Sequence, residues 1–312
     1  MMTLSTRRLR VTTGRWLAAA LLLSAPVVLA AHEPGAAAER PLQPDIHFLS
    51  ETGEIVRGTR CATPKPTPTQ IQQAAEAFER WQRSGAPGIV HETDVVIPVA
   101  WHVVHRGRAG NVPDSMIDAQ IQVLNDAFAG TGFSFELVHV DRTRKRGWFL
   151  RCDRPRVERR MKRALAIDPA TTLNVYSCRP PGLLGYAYFP NSFPEDDIRH
   201  GIVVRDTSLP GGGAAPYDEG DTATHEIGHY LGLYHTFEGG CDGDGDFVAD
   251  TPAEAFPAFG CPIDRDTCSS AGVDPIFNYM NYTDDACMSE FTPDQVIRMH
   301  ALTSTFRPTL YF

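Results

Sequence analysis

The chain has 312 residues, 42% of them hydrophobic, and a formal net charge of −9 at pH 7. These values are typical of a soluble globular protein with a sizeable core, in one large domain or two small ones. We expect the lysines and arginines to form no long basic face, which disfavours nucleic acid as a partner. The composition leaves the oligomeric state open.

The first 30 residues have the pattern of a secretory signal peptide. Four arginines precede an apolar run over residues 16–29, which ends in the small-x-small sequence Val28-Leu29-Ala30. The run is too short, and has the wrong flanks, for a permanent transmembrane helix. We therefore expect cleavage after residue 30 or 31 and a secreted protein without membrane association.

Residues 31–88 have the composition of a removable appendage. They are rich in Pro, Ala and Gln, and the alternating Pro64, Pro66 and Pro68 require an extended backbone. Thr69 is predicted to cap a helix that ends before the loop at 84–88. The sequence thus predicts a removable segment, or pro-segment, at 31–88, joined by a cleavable linker to a main domain at 89–312.

Beyond residue 89, apolar strand patterns alternate with helical ones. Strands are predicted at 95–104, 133–140, 172–176, 184–189 and 201–205. Helices are predicted from residues 113–115, through 225–229 with Asp221 or Thr222 near the cap, and from Pro293 through Leu302. Residues 154–166 have the pattern of a basic amphipathic helix or loop. Strands interleaved with helices predict an α/β sandwich with a mixed sheet.

Residues 225–235 read His-Glu-x-x-His-x-x-Gly-x-x-His. On a helix, His225 and His229 share one face and can both bind one metal ion. Gly232 can adopt the backbone conformation that turns the chain and brings His235 in as a third ligand. Three histidines leave the fourth tetrahedral position of zinc open, as in a catalytic site, where Glu226 would act as general base.

Seven cysteines in a secreted protein leave at least one without a partner for an intramolecular disulfide. Cys61, the cysteine of the predicted pro-segment, could fill the open zinc position as a thiolate and keep the enzyme latent. Alternatively, Cys61 is paired with another cysteine or is simply free.

Further motifs resemble those of the metzincin clan and, in finer detail, the ulilysin-like microbial branch of the pappalysin family. The similar residues run from about 60 to the end, and they include Arg60-Cys61-x-Thr63, Leu209-Pro210-Gly211-Gly212, Asp250-Thr251-Pro252, Asn278-Tyr279-Met280 and Cys287-Met288. The resemblance implies a twisted mixed sheet with a backing helix and an active-site helix. Below these it implies a loop-rich C-terminal subdomain with a methionine turn at Met280 and a final helix.

The resemblance also implies roles for individual residues. Tyr282 would stabilise the oxyanion, and Asp246 and Thr251 would bind a structural calcium ion. Asp285 would lie at the base of the pocket for the side chain just after the scissile bond and favour Arg or Lys there. The implied disulfide bonds are Cys241–Cys268 and Cys261–Cys287, so that Cys152 and Cys178 remain for a third bond.

Together these features predict a secreted, latent zinc endopeptidase that binds an extended peptide beside the strand at 201–205. One alternative is a metzincin with a narrow processing specificity. Another is a secreted binding or adhesion protein that zinc and calcium stabilise but that has no catalytic activity.

Overall fold

The computed structural model of the protein describes residues 45–85 and 95–311. The predicted signal peptide and the predicted boundary at residues 88 and 89 lie outside the described residues. Within them, no helix has the length and apolar character needed to cross a membrane.

Seven strands form one mixed sheet in the order β1-β2-β6-β7-β5-β3-β4. They are β1 (Ile46–Leu49), β2 (Ile55–Cys61), β3 (Val95–His105), β4 (Phe133–Arg144), β5 (Leu173–Cys178), β6 (Leu183–Tyr186) and β7 (Ile202–Arg205). Strands β6 and β7 are antiparallel, whereas β7, β5, β3 and β4 are mutually parallel. The mixed sheet of the prediction is confirmed.

Six α-helices accompany the sheet among the described residues. They are α1 (Pro68–Arg83), α2 (Asp114–Ala127), α3 (Arg146–Phe149), α4 (Pro155–Leu165), α5 (Asp221–Leu231) and α6 (Pro293–Phe306). A large core lies between the sheet and helices α2, α5 and α6, with Trp101, Ile117, Phe128, Ile227 and Met299 among its fully buried members. Burial of these side chains is the main force that holds α5 against the sheet.

One predicted helix cap is wrong. Helix α1 is capped by Thr67, whose hydroxyl accepts a hydrogen bond from the backbone N–H of Gln70, rather than by Thr69. Helix α5 begins after Gly220, which has a φ of 111°. That left-handed conformation favours glycine, so Gly220 is the cap, and Asp221, predicted near the cap, is the first residue of the helix.

The strand at 202–205 does not lie at an edge of the sheet. Strand β7 pairs with β5 on one side and with β6 on the other, so the prediction that substrate adds beside it is wrong. The neighbour that lies beyond β6 is β2, from the predicted pro-segment, and it runs parallel to β6.

A basic face also contradicts the expectation drawn from composition. Helix α4 exposes arginines along one side, and further exposed arginines flank it in residues 142–163. The expectation of no long basic face is therefore wrong for this segment.

Candidate metal centre and cleft

Helix α5 carries two buried histidines on one face. The rings of His225 and His229 are perpendicular, with centroids 4.8 Å apart. His225 Nδ1 lies 2.7 Å from the carbonyl oxygen of Tyr279, and His229 Nδ1 lies 2.8 Å from that of Leu233. Because carbonyl oxygens only accept hydrogen bonds, each ring carries its proton on Nδ1 and presents a lone pair at Nε2.

A turn after α5 brings in a third histidine. Gly232 has a φ of 110°, and a Cβ there would approach Leu302 Cδ1 to 2.7 Å, so both backbone and packing require glycine. His235 then places its Nε2 3.1 Å from that of His229. Its Nδ1 faces the carboxylate of Glu238 at 3.4 Å, which again directs the Nε2 lone pair to the centre.

These residues fit a zinc ion. The Sγ of Cys61 and one nitrogen from each of His225, His229 and His235 lie within 4.8 Å of one another. His225 Nε2 is buried and makes no hydrogen bond within the described chain. Burial lowers the pKa of each of the three histidines, which favours the neutral imidazole that binds metal. Converging lone pairs repel one another unless a cation lies between them, and zinc prefers nitrogen and sulfur ligands.

The methionine turn lies directly beneath this centre. Met280 is fully buried, and its sulfur packs so closely against α5 that a Cβ on Gly228 would come within 2.3 Å of it. Sequence reasoning did not single out Gly228. The signal is the glycine inside the helix, since glycine there lowers helix stability unless close packing requires it.

Glu226 lies fully buried beside the cluster. Its Oε2 accepts hydrogen bonds from Thr63 Oγ1 at 3.0 Å and from the Cys61 thiol at 3.5 Å, while its Oε1 has no partner within the described chain. Burial raises the pKa of Glu226 to about 8. Sequence reasoning gave Thr63 no role, yet its hydroxyl also accepts the backbone N–H of Ala187 and so joins the pro-segment to the cleft.

Tyr282 lies beside His235. Its hydroxyl is 3.2 Å from His235 Nε2, and its ring contacts that of Phe237 with centroids 4.8 Å apart. Burial raises the pKa of Tyr282 well above its ordinary value, so the hydroxyl stays protonated and remains a hydrogen-bond donor.

Asp285, the predicted base of the specificity pocket, lies buried next to the first residue of α5. Its Oδ2 accepts the backbone N–H groups of Glu219 and Asp221, and its Oδ1 lies 3.3 Å from the guanidinium of Arg60. Arg60 itself is fully buried and donates to the hydroxyl of Thr222 at 2.5 Å. Sequence reasoning cited Arg60 as part of a motif but did not foresee that it fills this pocket.

The predicted calcium ligands lie close together in the acidic loop after His235. Asp246 is 3% exposed, and both its Oδ2 and the hydroxyl of Thr251 are buried without a hydrogen-bond partner among the described residues. Burial raises the pKa of Asp246 to about 7. Buried oxygens without partners suit a hard cation.

Three disulfide bonds join the cysteines in the pairs named from the sequence. They are Cys152–Cys178, Cys241–Cys268 and Cys261–Cys287, and Cys61 is free and buried. Two of the bonds lie in the segment after α5, which has little regular structure.

Comparison with known proteins identifies relatives across most of the chain. A family model described as pregnancy-associated plasma protein-A matches residues 168–304. Extracellular metalloprotease 1 of Coccidioides posadasii is 42% identical over 247 residues, which cover 77% of this chain and 88% of the relative. An extracellular metalloprotease of Colletotrichum graminicola is 40% identical, with coverage of 79% and 90%.

Solved structures resemble the fold as well. A mutant of promirolysin from Tannerella forsythia superposes with a TM-score of 0.69 at 30% identity and covers 80% of this chain and 96% of its own. Mature mirolysin from the same organism, in complex with a cleaved peptide, has a TM-score of 0.63 at 31% identity, with coverage of 71% and 97%.

Proposed function

Because this chain belongs to the pappalysin family of zinc metalloproteases, we propose that it is a secreted endopeptidase made as a latent zymogen. Its relatives are extracellular by name, and three disulfide bonds suit an oxidising compartment. The observation that carries the proposal is the convergence of three histidine lone pairs on one buried point beside Glu226.

His225, His229 and His235 would hold the zinc ion. Zinc supplies Lewis-acid chemistry there, which polarises the scissile carbonyl and makes water a better nucleophile. The backbone carbonyls of Tyr279 and Leu233 fix the orientation of two of the rings and keep their nitrogens directed at the centre.

Glu226 acts as the general base. It takes a proton from the attacking water and passes it to the leaving amine nitrogen. Burial, which raises the pKa of Glu226, makes its carboxylate a stronger proton acceptor than an exposed glutamate. Once Cys61 and Thr63 are withdrawn, both carboxylate oxygens of Glu226 are free for this transfer.

Tyr282 donates a hydrogen bond to the oxyanion that develops as water attacks the carbonyl. Its protonated hydroxyl, next to His235, supports this role. Met280 supports α5 from below and thereby keeps the histidines in position.

The substrate is an extended peptide that pairs with strand β6. In the full chain β2 covers this edge, and removal of the pro-segment would expose it for a substrate strand. Asp285 would then bind an Arg or Lys that follows the scissile bond. The ion pair between the guanidinium of Arg60 and Asp285 supports this preference, because a basic side chain already pairs with this carboxylate.

Latency has three parts in this proposal. Strand β2 covers the edge of β6, Arg60 pairs with Asp285 in its pocket, and Cys61 would supply the fourth zinc ligand as a thiolate once zinc is bound. Cleavage of the linker near residue 88 would release residues 31–88 and leave the catalytic domain at 89–312.

A calcium ion at Asp246 and Thr251 would stabilise the loop after His235.

Replacement of Glu226 by Ala tests the mechanism. Activity of the processed enzyme on casein should fall by about 10²–10⁴, while bound zinc measured by mass spectrometry should stay at one ion per chain. Glu290→Ala is the matched control, because Glu290 is exposed and should retain full activity.

The possible results separate the general-base mechanism from the alternative of a non-catalytic binding protein. Full activity in Glu226→Ala would refute the general-base assignment. A processed wild-type protein that binds zinc but cleaves no denatured protein would instead favour the non-catalytic binding protein.

A further inference from the structure

Positive charge is concentrated in residues 142–163. This segment contains eleven Lys and Arg residues against two acidic residues, Asp153 and Glu158. From residue 164 to the C-terminus there are six Lys and Arg residues against 22 Asp and Glu residues. In a chain of net charge −9, such a segment is a local exception that the zinc site does not explain.

The exposed lysines and arginines are distributed even more unevenly along the chain. Among residues 95–311, twelve lysines and arginines are exposed, and all of them lie between residues 106 and 163. The six that follow residue 163 are buried or half-buried. The described catalytic part therefore presents its exposed lysines and arginines from one short part of the chain.

Helix α4 arranges part of this charge in a stripe. Its exposed face carries four arginines at helical spacing: Arg156, Arg159, Arg160 and Arg163. None of the four makes an ion pair or side-chain hydrogen bond within the described chain. The buried Lys162 behaves differently, since its ammonium lies 3.0 Å from the carboxylate of Glu158.

The stripe is held on a rigid support. The Cys152–Cys178 disulfide ties the corner between α3 and α4 to strand β5. The N–H of Lys145 donates to the carbonyl of His105 at 2.9 Å, which joins this corner to the exposed Arg106 and Arg108. The charges are therefore presented by a fixed surface.

We propose that α4 and its flanks, residues 142–163, bind a linear polysaccharide that carries repeated sulfate or carboxylate groups. Like charges three and four positions apart destabilise a helix, and an anionic polymer laid along the stripe would relieve that repulsion. Guanidinium groups suit this ligand because they bind sulfate and carboxylate oxygens in bidentate fashion.

Other polyanions fit the segment less well. A helix at a lipid surface gains most of its affinity from apolar side chains that insert, and residues 142–163 have no exposed large hydrophobic residue, so charge attraction alone would hold a membrane. Single-stranded nucleic acid requires free aromatic faces, but Trp148 is half-buried with the ammonium of Lys145 3.8 Å from its ring centroid. The extracellular location in the proposed function favours a polysaccharide over duplex DNA, and only this choice of ligand rests on that function.

Heparin is a suitable probe for the full-length protein. The quadruple variant R156S/R159S/R160S/R163S should elute from immobilised heparin at clearly lower salt than the wild type. Its log–log dependence of affinity on salt should flatten by about one unit per lost contact. The control R57S/K65S/R80S/R83S removes the same charge from exposed positions of the pro-segment and should elute with the wild type.

Further measurements decide among the outcomes. Equal loss in the two quadruple variants would show a net-charge effect and overturn the proposal. Tighter binding to duplex DNA or to anionic phospholipid vesicles than to heparin would also overturn it. The variant R156K/R159K/R160K/R163K, which preserves the charge, should bind with intermediate strength, and retained thermal unfolding transitions establish folding. None of these measurements depends on proteolytic activity. The test of polysaccharide binding is therefore independent of the peptidase assay.

Discussion

At the scale of single residues, the metal centre depends on contacts that the linear motif does not contain. The zinc motif gives the spacing of the histidines, but the tautomers of His225 and His229 are fixed by the carbonyls of Tyr279 and Leu233. These acceptors are backbone atoms, so no residue type marks them. The metal ligands can thus be predicted from the sequence. The orientation of the histidine rings, in contrast, depends on how the chain folds around them.

The preference for basic residues depends on the single carboxylate of Asp285. In Asp285→Asn, kcat/KM for a peptide with Arg after the scissile bond should fall by about 10²–10³, because a buried charged hydrogen bond is lost. A peptide with Leu there should be cleaved about as well as before. Paired peptide substrates, assayed with the processed enzyme, measure the ratio.

Asp284→Asn is the adjacent control and should keep the wild-type ratio. Burial raises the pKa of Asp285, so its carboxylate becomes protonated as the pH falls towards mild acidity. The preference of the wild type should therefore shrink with falling pH, and that of Asp285→Asn should stay flat. If Asp285→Asn keeps the wild-type preference for Arg, a residue other than Asp285 binds the basic side chain.

The residues that sequence reasoning missed are those whose partners are distant in the chain. Arg60 and Asp285 are 225 positions apart, and Thr63 and Glu226 are 163 apart. A threonine or arginine in an extended segment has no local pattern that reveals a buried partner. The histidines could be predicted because one helix turn places two of them together.

At the scale of elements, the five strands beyond residue 95 were predictable, whereas strands β1 and β2 and the strand order were not. Strands β6 and β7 are both short and buried along their whole length, so neither shows the alternation that marks a half-exposed edge. The order depends on which strands pair, and here the predicted pro-segment itself supplies a neighbour of β6. This explains why β7 was wrongly assigned as the edge.

Helix α1 should hold the pro-segment in place independently of Cys61. Ala74 and Ala77 of α1 pack against Leu302 of α6. Ala77 is 0% exposed, so the variant Ala77→Asp would bury a charge at this contact. The buried charge costs several kcal/mol unless α1 detaches from α6. We expect the unprocessed variant to cleave a fluorogenic peptide at least about tenfold faster than the unprocessed wild type.

Gln73→Asp provides the matched control, since Gln73 lies exposed on the same helix. It should remain as latent as the wild type. If Ala77→Asp stays fully latent while its pro-segment remains intact, strand β2 and Cys61 suffice and α1 does not contribute to latency.

At the scale of the whole molecule, regular structure and covalent or ionic supports occupy different parts of the chain. The sheet and helices α2, α5 and α6 share the large core, whereas the segment between α5 and α6 contains two disulfide bonds and a buried ion-pair cluster around Arg265. A segment with so little apolar core requires such supports. The unpartnered oxygens of Asp246 and Thr251 belong to this segment, so a cation there would stabilise the molecule as a whole.

Calcium should accordingly raise the thermal stability of the protein. At a concentration one hundred times Kd, a ligand specific for the folded state contributes about 2.7 kcal/mol. For a chain of this size that corresponds to about 4 °C in Tm. Differential scanning calorimetry with and without added calcium should show this shift in the wild type and lose it in Asp246→Asn.

Asp242→Asn tests whether the effect belongs to this site, because Asp242 is an exposed carboxylate in the same acidic run. Exposed carboxylates bind calcium weakly, so this variant should keep the full shift. Without calcium, Asp246→Asn should be at least as stable as the wild type, because burial raises the pKa of Asp246 to about 7 and a buried charge without a cation is unfavourable. Equal shifts in all three proteins would place the calcium elsewhere and leave the buried oxygens of Asp246 and Thr251 to another partner.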